Sequence, residues 1–237
     1  MKFVRCNTEI GLDVKRFRLK VPVKPDARKK KDMKDFVFDP AGLEKLKDPV
    51  YLMYRGVNSL DFEFKSLEKE YGVRYDLTLI KSGLIGLSYV RTIGHYHPNN
   101  YSEIYEVIRG KAAFVLQSKD LKRMILVTAS EGEAVIIPRG FGHQTVNIGE
   151  GLLLIGNLVY GGFKSDYSVY KKHRGGAFYL NKIGKKTEIM INTNYRIPLA
   201  MFPKIEKING IKIGPLDAML KKNPGVVSDF LKGRGLL

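Results

Sequence analysis

The sequence predicts an all-β fold, and three observations support this prediction. From residue 50 onward, short apolar runs are separated by turns that contain Gly, Pro, Asn or Asp. The runs are rich in β-branched and aromatic residues, which favour strands. The chain has 237 residues, 44% of them hydrophobic, which is enough to fill the core of one large β domain. Regularly spaced short strands of this kind predict two sheets that close into a barrel.

Residues 1–49 precede this pattern, and we expect them to form an N-terminal arm of strand and helix that packs on the barrel. Apolar and basic residues alternate over 17–21, which predicts an edge strand that ends at Pro22. Asp39-Pro40 is typical of a helix N-cap followed by proline at the first helical position. A short helix is therefore predicted from there to Leu46.

The barrel domain is predicted to cover residues 50–180. Its candidate strands, each bounded by turn residues, are 50–55, 74–82, 84–91, 94–97, 103–109, 111–117, 124–129, 133–137, 143–148 and 152–159. Arg109-Gly110 and Ser130-Glu131-Gly132 each predict a tight hairpin between neighbouring strands. Residues 181–237 are predicted to form a small C-terminal extension with a strand at 187–192 and short helices at 215–222 and 225–232.

Three of the four histidines in the chain fall in two short segments with strand and turn patterns. In an extended strand His95 and His97 point the same way, so both imidazoles can bind one metal ion. Pro98-Asn99-Asn100 is typical of a turn, and a hairpin there would bring Glu103 back beside them. His143 follows a glycine-rich turn further along. Either segment alone is more often ordinary surface sequence, but together they predict a three-His, one-Glu site for a divalent metal.

The spacing of these residues resembles that of the cupin superfamily. The second cupin motif, G(x)5PxG(x)2H(x)3N, is matched in full by Gly132, Pro138, Gly140, His143 and Asn147. Tyr89 stands where the first motif, G(x)5HxH(x)3-6E(x)6G, opens with glycine, and its other positions are held by His95, His97, Glu103 and Gly110. The resemblance implies a cupin double-stranded β-barrel (jelly roll) with the metal site inside it.

A more specific resemblance is to the cupin-type phosphoglucose isomerases of archaea. It is carried by residues 92–97, 103–105, 143–149 and 166–167, and weaker similarity upstream extends it from about residue 29 to about residue 180. It implies a metal-dependent aldose–ketose isomerase that interconverts glucose 6-phosphate and fructose 6-phosphate, in glycolysis and gluconeogenesis, and a homodimer. The resemblance also implies an archaeal origin, and the lysine and isoleucine content, with no tryptophan, agrees with a thermophilic one.

The resemblance to the isomerases assigns roles to individual residues. The metal ligands would be His95, His97, Glu103 and His143, with iron as the first choice and manganese, nickel or zinc as alternatives. Glu103 would also be the catalytic base that moves a proton between C2 and C1. Because a carboxylate bound to a cation is a weakened base, hydride transfer stays open as an alternative. The substrate contacts would be Tyr54, Thr78, Thr92, Gly94, Tyr105 and Tyr167.

Strict alternation conflicts with one of these assignments. It places Thr92 on the strand face opposite His95, so we expect a bulge or kink at Gly94 that turns both side chains toward the pocket. The same alternation points Arg91 into the pocket, where it would be an additional phosphate ligand. His173 lies in a basic loop, and we expect it to be solvated.

Two other kinds of function stay open. Another metal cupin, such as a dioxygenase, would use the same ligands, and a non-catalytic sugar-binding cupin would use the same pocket. The loop between His97 and Glu103 is slightly shorter than the resemblance to the isomerases implies, and the C-terminal extension lies outside the resemblance. Both differences are compatible with altered specificity.

The formal net charge is +17, with a basic run at Arg28-Lys29-Lys30-Lys31. The basic residues are otherwise spread along the chain without helix-turn-helix or zinc-finger spacing, so we do not expect nucleic acid as a partner. A positive field suits an anionic sugar phosphate.

No apolar run is long enough to span a bilayer, and the N-terminal residues are followed by charged residues. We therefore expect no membrane association and a cytoplasmic protein, with the single cysteine, Cys6, unpaired.

Overall fold

Two β-sheets face each other across the main core of this computed structural model, which describes residues 1–98, 101–196 and 205–234. The strands are, in chain order, β1 (Lys2–Arg5), β2 (Thr8–Asp13), β3 (Arg18–Lys20), β4 (Asp26–Arg28), β5 (Tyr51–Tyr54), β6 (Val73–Ile80), β7 (Leu84–Ile85), β8 (Ser88–Tyr89), β9 (Glu103–Arg109), β10 (Lys111–Ser118), β11 (Met124–Ser130), β12 (Ala134–Ile137), β13 (Phe141–Asn147), β14 (Leu153–Tyr160), β15 (Phe178–Ile183), β16 (Lys186–Ile191) and β17 (Ile205–Asn209). The α-helices are α1 (Lys30–Met33), α2 (Phe62–Tyr71), α3 (Ser168–Lys172), α4 (Leu216–Lys222) and α5 (Pro224–Leu231). Short 3₁₀ helices lie at Lys34–Phe36, Ala41–Lys45, Val57–Leu60 and Thr193–Tyr195.

The larger facing sheet has six strands in the order β12-β9-β14-β6-β5-β4, and the smaller has four in the order β13-β10-β11-β17. Neighbouring strands in both sheets are antiparallel, except that β17 runs parallel to β11. Two smaller sheets, β1-β2-β3 and β16-β15-β8-β7, complete the strand architecture of the described residues. The predicted all-β fold of two facing sheets is confirmed, but among the described residues these sheets form an open sandwich and do not close into a barrel.

Alternation along β9 divides its side chains between the two faces of the six-stranded sheet. Tyr105 and Val107 belong to the core between the sheets, whereas Ile104 and Ile108 belong to the core on the outer face. The ring of Tyr105 lies 5.2 Å from that of Phe114 on the facing sheet. Period-two geometry therefore fixes which β9 residues point inward, and Glu103 shares the face of Tyr105.

Elements outside the two facing sheets cover the outer faces of these sheets. The β1–β3 sheet, α2, α4 and α5 cover the six-stranded sheet, where Leu77 and Leu220 share one buried cluster. Strand β15 covers the four-stranded sheet, where Phe178 packs in a cluster with Val115. Ile10 and Leu12 from the first 49 residues belong to the same buried cluster as Leu77. The division into an N-terminal arm, a barrel domain and a C-terminal extension, with limits at 49/50 and 180/181, stays a prediction.

Most of the predicted strands have a counterpart in the structure. The predicted strand 84–91 is broken into β7 and β8, and the segment 94–97 makes only isolated bridges to other parts of the chain. The predicted helix after Asp39 is the 3₁₀ helix Ala41–Lys45, and the Asp39 carboxylate accepts a hydrogen bond from the Gly42 N–H at 3.1 Å. Strand β3 (Arg18–Lys20) is shorter than the strand predicted at 17–21.

The hairpins predicted at Arg109-Gly110 and at Ser130-Glu131-Gly132 are wrong. Gly110, at φ 97°, joins β9 of the six-stranded sheet to β10 of the four-stranded sheet, and Gly132, at φ 83°, lies between β11 and β12, which are also in different sheets. A glycine at positive φ redirects the chain in a hairpin and in a sheet crossing alike. The local sequence pattern therefore does not distinguish between the two connections.

Several elements were not predicted from the sequence, namely helices α1, α2 and α3 and strands β1, β2, β4, β15 and β17. The Asp61 carboxylate caps α2 by accepting from the Phe64 N–H at 3.2 Å, and Gly72 ends the helix at φ 71°. Phe64 is the buried residue of this helix, whereas Phe62 is 87% exposed. With so little of one face buried, α2 has only a weak apolar periodicity.

Two further expectations concern the turn at residues 98–100 and the absence of a membrane-spanning segment. Residues 99 and 100 of the predicted turn Pro98-Asn99-Asn100 lie outside the described residues. Across the described ranges, none of the helices has the length and apolar character needed to cross a bilayer.

A buried ion pair ties the N-terminal hairpin to the six-stranded sheet. The Arg5 guanidinium donates to Glu106 through Nε at 2.8 Å and Nη2 at 3.0 Å, and the Tyr75 hydroxyl donates to the same carboxylate. The two charged side chains are 15% and 6% exposed. Asp217 on α4 lies 3.8 Å from Arg5, so both termini meet at this pair.

We predict that Arg5→Met lowers the free energy of unfolding by about 3 kcal/mol, because it leaves the Glu106 carboxylate buried without its cation. Chemical denaturation measures the change. Lys2→Met is the matched control, since the Lys2–Glu9 pair is 72% and 62% exposed and its loss should not move the transition measurably. Equal unfolding midpoints for Arg5→Met and Lys2→Met would contradict this prediction.

Candidate metal centre

The segment 91–97 runs antiparallel along β13 and positions two of the histidines. Arg91 bridges to Val146 and His95 bridges to His143, so four steps along the segment match three steps along β13. This extra residue is a β-bulge, and it reverses the alternation between Thr92 and His95. Thr92 and His95 both line the same cavity, so the expected kink is confirmed.

Gly94 occupies the bulge because no side chain fits there. A Cβ at this position would lie 2.0 Å from Cε1 of Tyr170 and 2.5 Å from Cγ of Gln144. The Tyr170 ring therefore packs directly on the Gly94 backbone. Gly94 is not among the residues that line the cavity, and its expected substrate contact stays a prediction.

Glu103 reaches the histidines from the opposite sheet. Its Oε2 lies 3.2 Å from Nε2 of His97 and 3.1 Å from Nε2 of His143, and the Nε2 atoms of His95 and His97 are 3.2 Å apart. The four ligand atoms all lie within 4.8 Å of one another. The hairpin predicted between residues 94–97 and 103–109 is wrong, because residues 94–97 bridge to β13 and to Asp166, whereas β9 pairs with β12 and β14.

Burial and proximity set the charges of this cluster. Loss of hydration lowers the pKa of His95 well below its usual value, and it also lowers the pKa of His143. Burial opposes ionisation of Glu103, but the adjacent His143 and His97 imidazoles outweigh it and hold the Glu103 pKa well below its usual value. At neutral pH the site therefore holds an anionic Glu103 carboxylate beside the neutral imidazoles of His95 and His143, a combination that suits a divalent cation.

The donor set fits a metal ion. Glu103 Oε2 is buried and, among the described residues, has no hydrogen-bond partner, although three imidazole nitrogens surround it. The facing Nε2 atoms of His95 and His97 would both direct lone pairs into the same space. A cation coordinated by these nitrogens and by Oε2 would satisfy all four atoms.

The cluster forms one wall of a cavity of about 480 Å³, a size suited to a small-molecule ligand. Of the predicted substrate contacts, Thr78, Thr92, Tyr105 and Tyr167 line it. Tyr54 does not, which corrects that prediction. Its hydroxyl accepts from the Leu19 N–H at 2.8 Å in the core on the outer face of the sheet.

Arg91 also lies outside the cavity, and its expected role as a phosphate ligand is corrected. It is 2% exposed, and its guanidinium carbon lies 4.1 Å from the centre of the Tyr179 ring. The bulge that turns Thr92 inward turns Arg91 outward. His173, expected to be solvated, is partly exposed and stacks on Tyr195 at 4.1 Å.

Several polar residues of the cavity were not found from the sequence, namely Arg55, Arg74, Asp76, Asn157 and Lys164. Arg74 donates to Asp76 through Nε and Nη2, both at 2.8 Å, and Arg55 lies 3.5 Å from the same carboxylate. Alternation could have found two of them, because Arg74 and Asp76 share the strand face of Thr78 on β6.

The facing sheets and the histidine–carboxylate cluster between them define a cupin. The chain matches the family described as glucose-6-phosphate isomerase (GPI) over residues 27–196, and it belongs to this family.

The chain is also similar to curated archaeal proteins. The glucose-6-phosphate isomerase of Pyrococcus abyssi is 29% identical over 128 residues, which are 52% of this chain and 63% of that protein. The glucose-6-phosphate isomerase of Thermococcus kodakarensis is 30% identical over 148 residues, which are 59% of this chain and 72% of that protein. The chain thus spans about 63% of the length of the Pyrococcus relative.

A solved structure with lower similarity is the oxalate decarboxylase formate complex of Lactobacillus farciminis. It has a TM-score of 0.41 and 16% identity, and the match covers 61% of this chain and 32% of that one.

We predict that Gly94→Ala weakens metal binding and destabilises the fold, because the new methyl group collides with the Tyr170 ring and displaces the adjacent His95. Isothermal titration with Mn²⁺ and thermal unfolding measure the two effects. Gly151→Ala is the control, since no atom lies within 4 Å of a Cβ at that position.

The collision is not confined to the Tyr170 ring, since the same methyl group would lie 2.5 Å from Cγ of Gln144. Wild-type Mn²⁺ affinity in Gly94→Ala would contradict the packing role of this glycine.

Proposed function

We propose that this protein is a metal-dependent aldose–ketose isomerase that interconverts glucose 6-phosphate and fructose 6-phosphate. The observation that carries the proposal is one cavity that combines a four-ligand metal cluster with hydroxyl groups and cationic side chains. Membership of the glucose-6-phosphate isomerase family supports this substrate class.

In this proposal His95, His97, Glu103 and His143 hold one divalent metal ion. Iron is the first choice, with manganese, nickel or zinc as alternatives. When bound, the ion supplies Lewis-acid stabilisation of the negative charge that develops on the oxygens at C1 and C2.

The protein's own residues have to move the proton. The isomerisation removes a proton from C2 of the aldose and delivers one to C1, and we assign this transfer to the Glu103 carboxylate. Burial, followed by the nearby Glu103 charge, raises the pKa of Tyr105 well above its usual value. Tyr105 therefore stays protonated, and its hydroxyl can donate a hydrogen bond to substrate oxygen.

Charge around the cavity supports an anionic substrate. The lining includes three cationic side chains, Arg55, Arg74 and Lys164, against the carboxylates of Asp76 and Glu103. With a divalent ion bound, the net charge of the cavity lining becomes clearly positive, which favours the entry of a phosphate dianion. We propose Thr78, Thr92, Tyr105 and Tyr167 as the hydroxyl contacts of the sugar phosphate.

The homodimer, the cytoplasmic location and the role in glycolysis and gluconeogenesis stay predictions.

We predict that the wild-type protein retains about one equivalent of divalent metal after dialysis and that His143→Ala loses it, since one of the four ligands is removed. Elemental analysis of proteins reconstituted with iron, manganese, nickel or zinc gives the result. His173→Ala is the matched control, because it removes the histidine that lies outside the cluster. Identical metal content in the two variants would rule out this site.

We predict that the metal-loaded protein forms glucose 6-phosphate from fructose 6-phosphate in a coupled assay and that a chelator abolishes the activity. Glu103→Gln keeps an oxygen donor but removes the base, so turnover should fall by about 10²- to 10⁴-fold in the metal-loaded variant. Solvent deuterium should appear in the product if a proton is exchanged. Wild-type turnover in metal-loaded Glu103→Gln, or no label under slow turnover, would exclude this base and favour hydride transfer.

A further inference from the structure

Asn157 on β14 contacts the Glu103 carboxylate inside the cavity. Its Nδ2 donates to Glu103 Oε1 at 2.6 Å, and the residue is 5% exposed. In the sheet, Asn157 stands opposite Asp76 on β6 and opposite Tyr105 on β9. It therefore occupies the inner face between the charged residues of the cavity and the proposed metal ligands.

The two oxygens of Glu103 have different surroundings. Oε2 faces His97 and His143 at 3.2 and 3.1 Å, whereas Oε1 is held by Asn157. A carboxylate can coordinate a cation through one oxygen or through both. A hydrogen bond to Oε1 fixes the plane of the carboxylate and opposes its rotation toward coordination through both oxygens.

We propose that Asn157 is a positioning residue that holds Glu103 so that Oε2 alone coordinates the metal and Oε1 stays available for proton transfer. The inference rests on the metal and base roles in the proposed function, but not on the identity of the substrate. It adds to the site a residue outside the two cupin motifs.

The chemistry of the side chain explains why asparagine suits this position. Only the NH₂ group of the carboxamide can donate to an ionised carboxylate, so its orientation toward Oε1 follows from hydrogen bonding. Aspartate has the same shape but no donor when ionised, and it would place a second negative charge against Oε1. Outer partners that orient metal ligands contribute about 10- to 100-fold to metal affinity or activity in other proteins.

The experiment compares Asn157→Ala, Asn157→Asp and a control by titrating dialysed protein with Mn²⁺ at pH 7.5 and following bound and free ion by electron paramagnetic resonance. The control is Asn181→Ala, because Asn181 is also 5% exposed and its Oδ1 accepts from Ser88 Oγ at 2.6 Å in a different sheet. It should leave the Kd and the spectrum of bound Mn²⁺ unchanged.

The positioning role predicts two effects. Asn157→Ala should raise the Kd for Mn²⁺ by about 10- to 100-fold and change the spectrum of the bound ion. Asn157→Asp should also change that spectrum despite its equal volume, because an ionised aspartate cannot donate to Oε1 and repels the Glu103 carboxylate out of its position. Thermal unfolding of the metal-free proteins shows whether each variant is folded.

Two results would overturn the inference. One is an Asn157→Asp protein whose bound Mn²⁺ gives the wild-type spectrum, which would show that the donor to Oε1 does not position Glu103. The other is a Kd for Asn157→Ala equal to that of Asn181→Ala. Failure of the proposed function is distinct, because it would appear as wild-type protein that binds Mn²⁺ normally and does not interconvert the two sugar phosphates.

Discussion

The structure depends on the approach of one carboxylate from the six-stranded sheet to imidazoles held on the four-stranded sheet. Glu103, His97 and His143 are all nearly excluded from solvent, and the carboxylate oxygen lies 3.1 to 3.2 Å from the two Nε2 atoms. Burying an ionised group without partners is costly, so the sheets have to pack in a register that brings these groups together. The candidate site is therefore also a constraint on how the two sheets face each other.

The bulge beside β13 makes this arrangement possible on one short segment. Without the extra residue, strict alternation would point Arg91 into the cavity and Thr92 out of it. With it, the Arg91 guanidinium packs on Tyr179 in the outer layer, while Thr92 and His95 line the cavity. The missing side chain at Gly94 gives the Tyr170 ring room to hold the bulge in place. A packing contact outside the cavity thus determines where a ligand points inside it.

The four metal-ligand candidates and most strand positions could be predicted because they depend on spacing along the chain. Alternation needs no knowledge of which strands are neighbours, and the His95-His97 pair shows this. Pairing between distant strands could not be predicted, since Gly110 has the same local pattern in a hairpin as in a crossing between sheets. Tyr54 was assigned to the cavity from the resemblance to the isomerases, although its hydroxyl accepts from Leu19 on β3. The contact between Asn157 and Glu103 was not found, because these residues lie on strands that are distant in the sequence.

The charged groups of the cavity are fixed before any substrate arrives. The Asp76 carboxylate accepts from the Gly56 N–H at 2.7 Å and from two nitrogens of Arg74, so both charged side chains hold defined positions. Groups held in this way need little reorganisation when charge develops on a ligand, and their effect is stronger in a cavity that excludes water than at an exposed surface. Most of the +17 net charge is spread over the surface, where salt screens it. The selectivity of this cavity therefore depends more on a few oriented groups than on the overall charge of the protein.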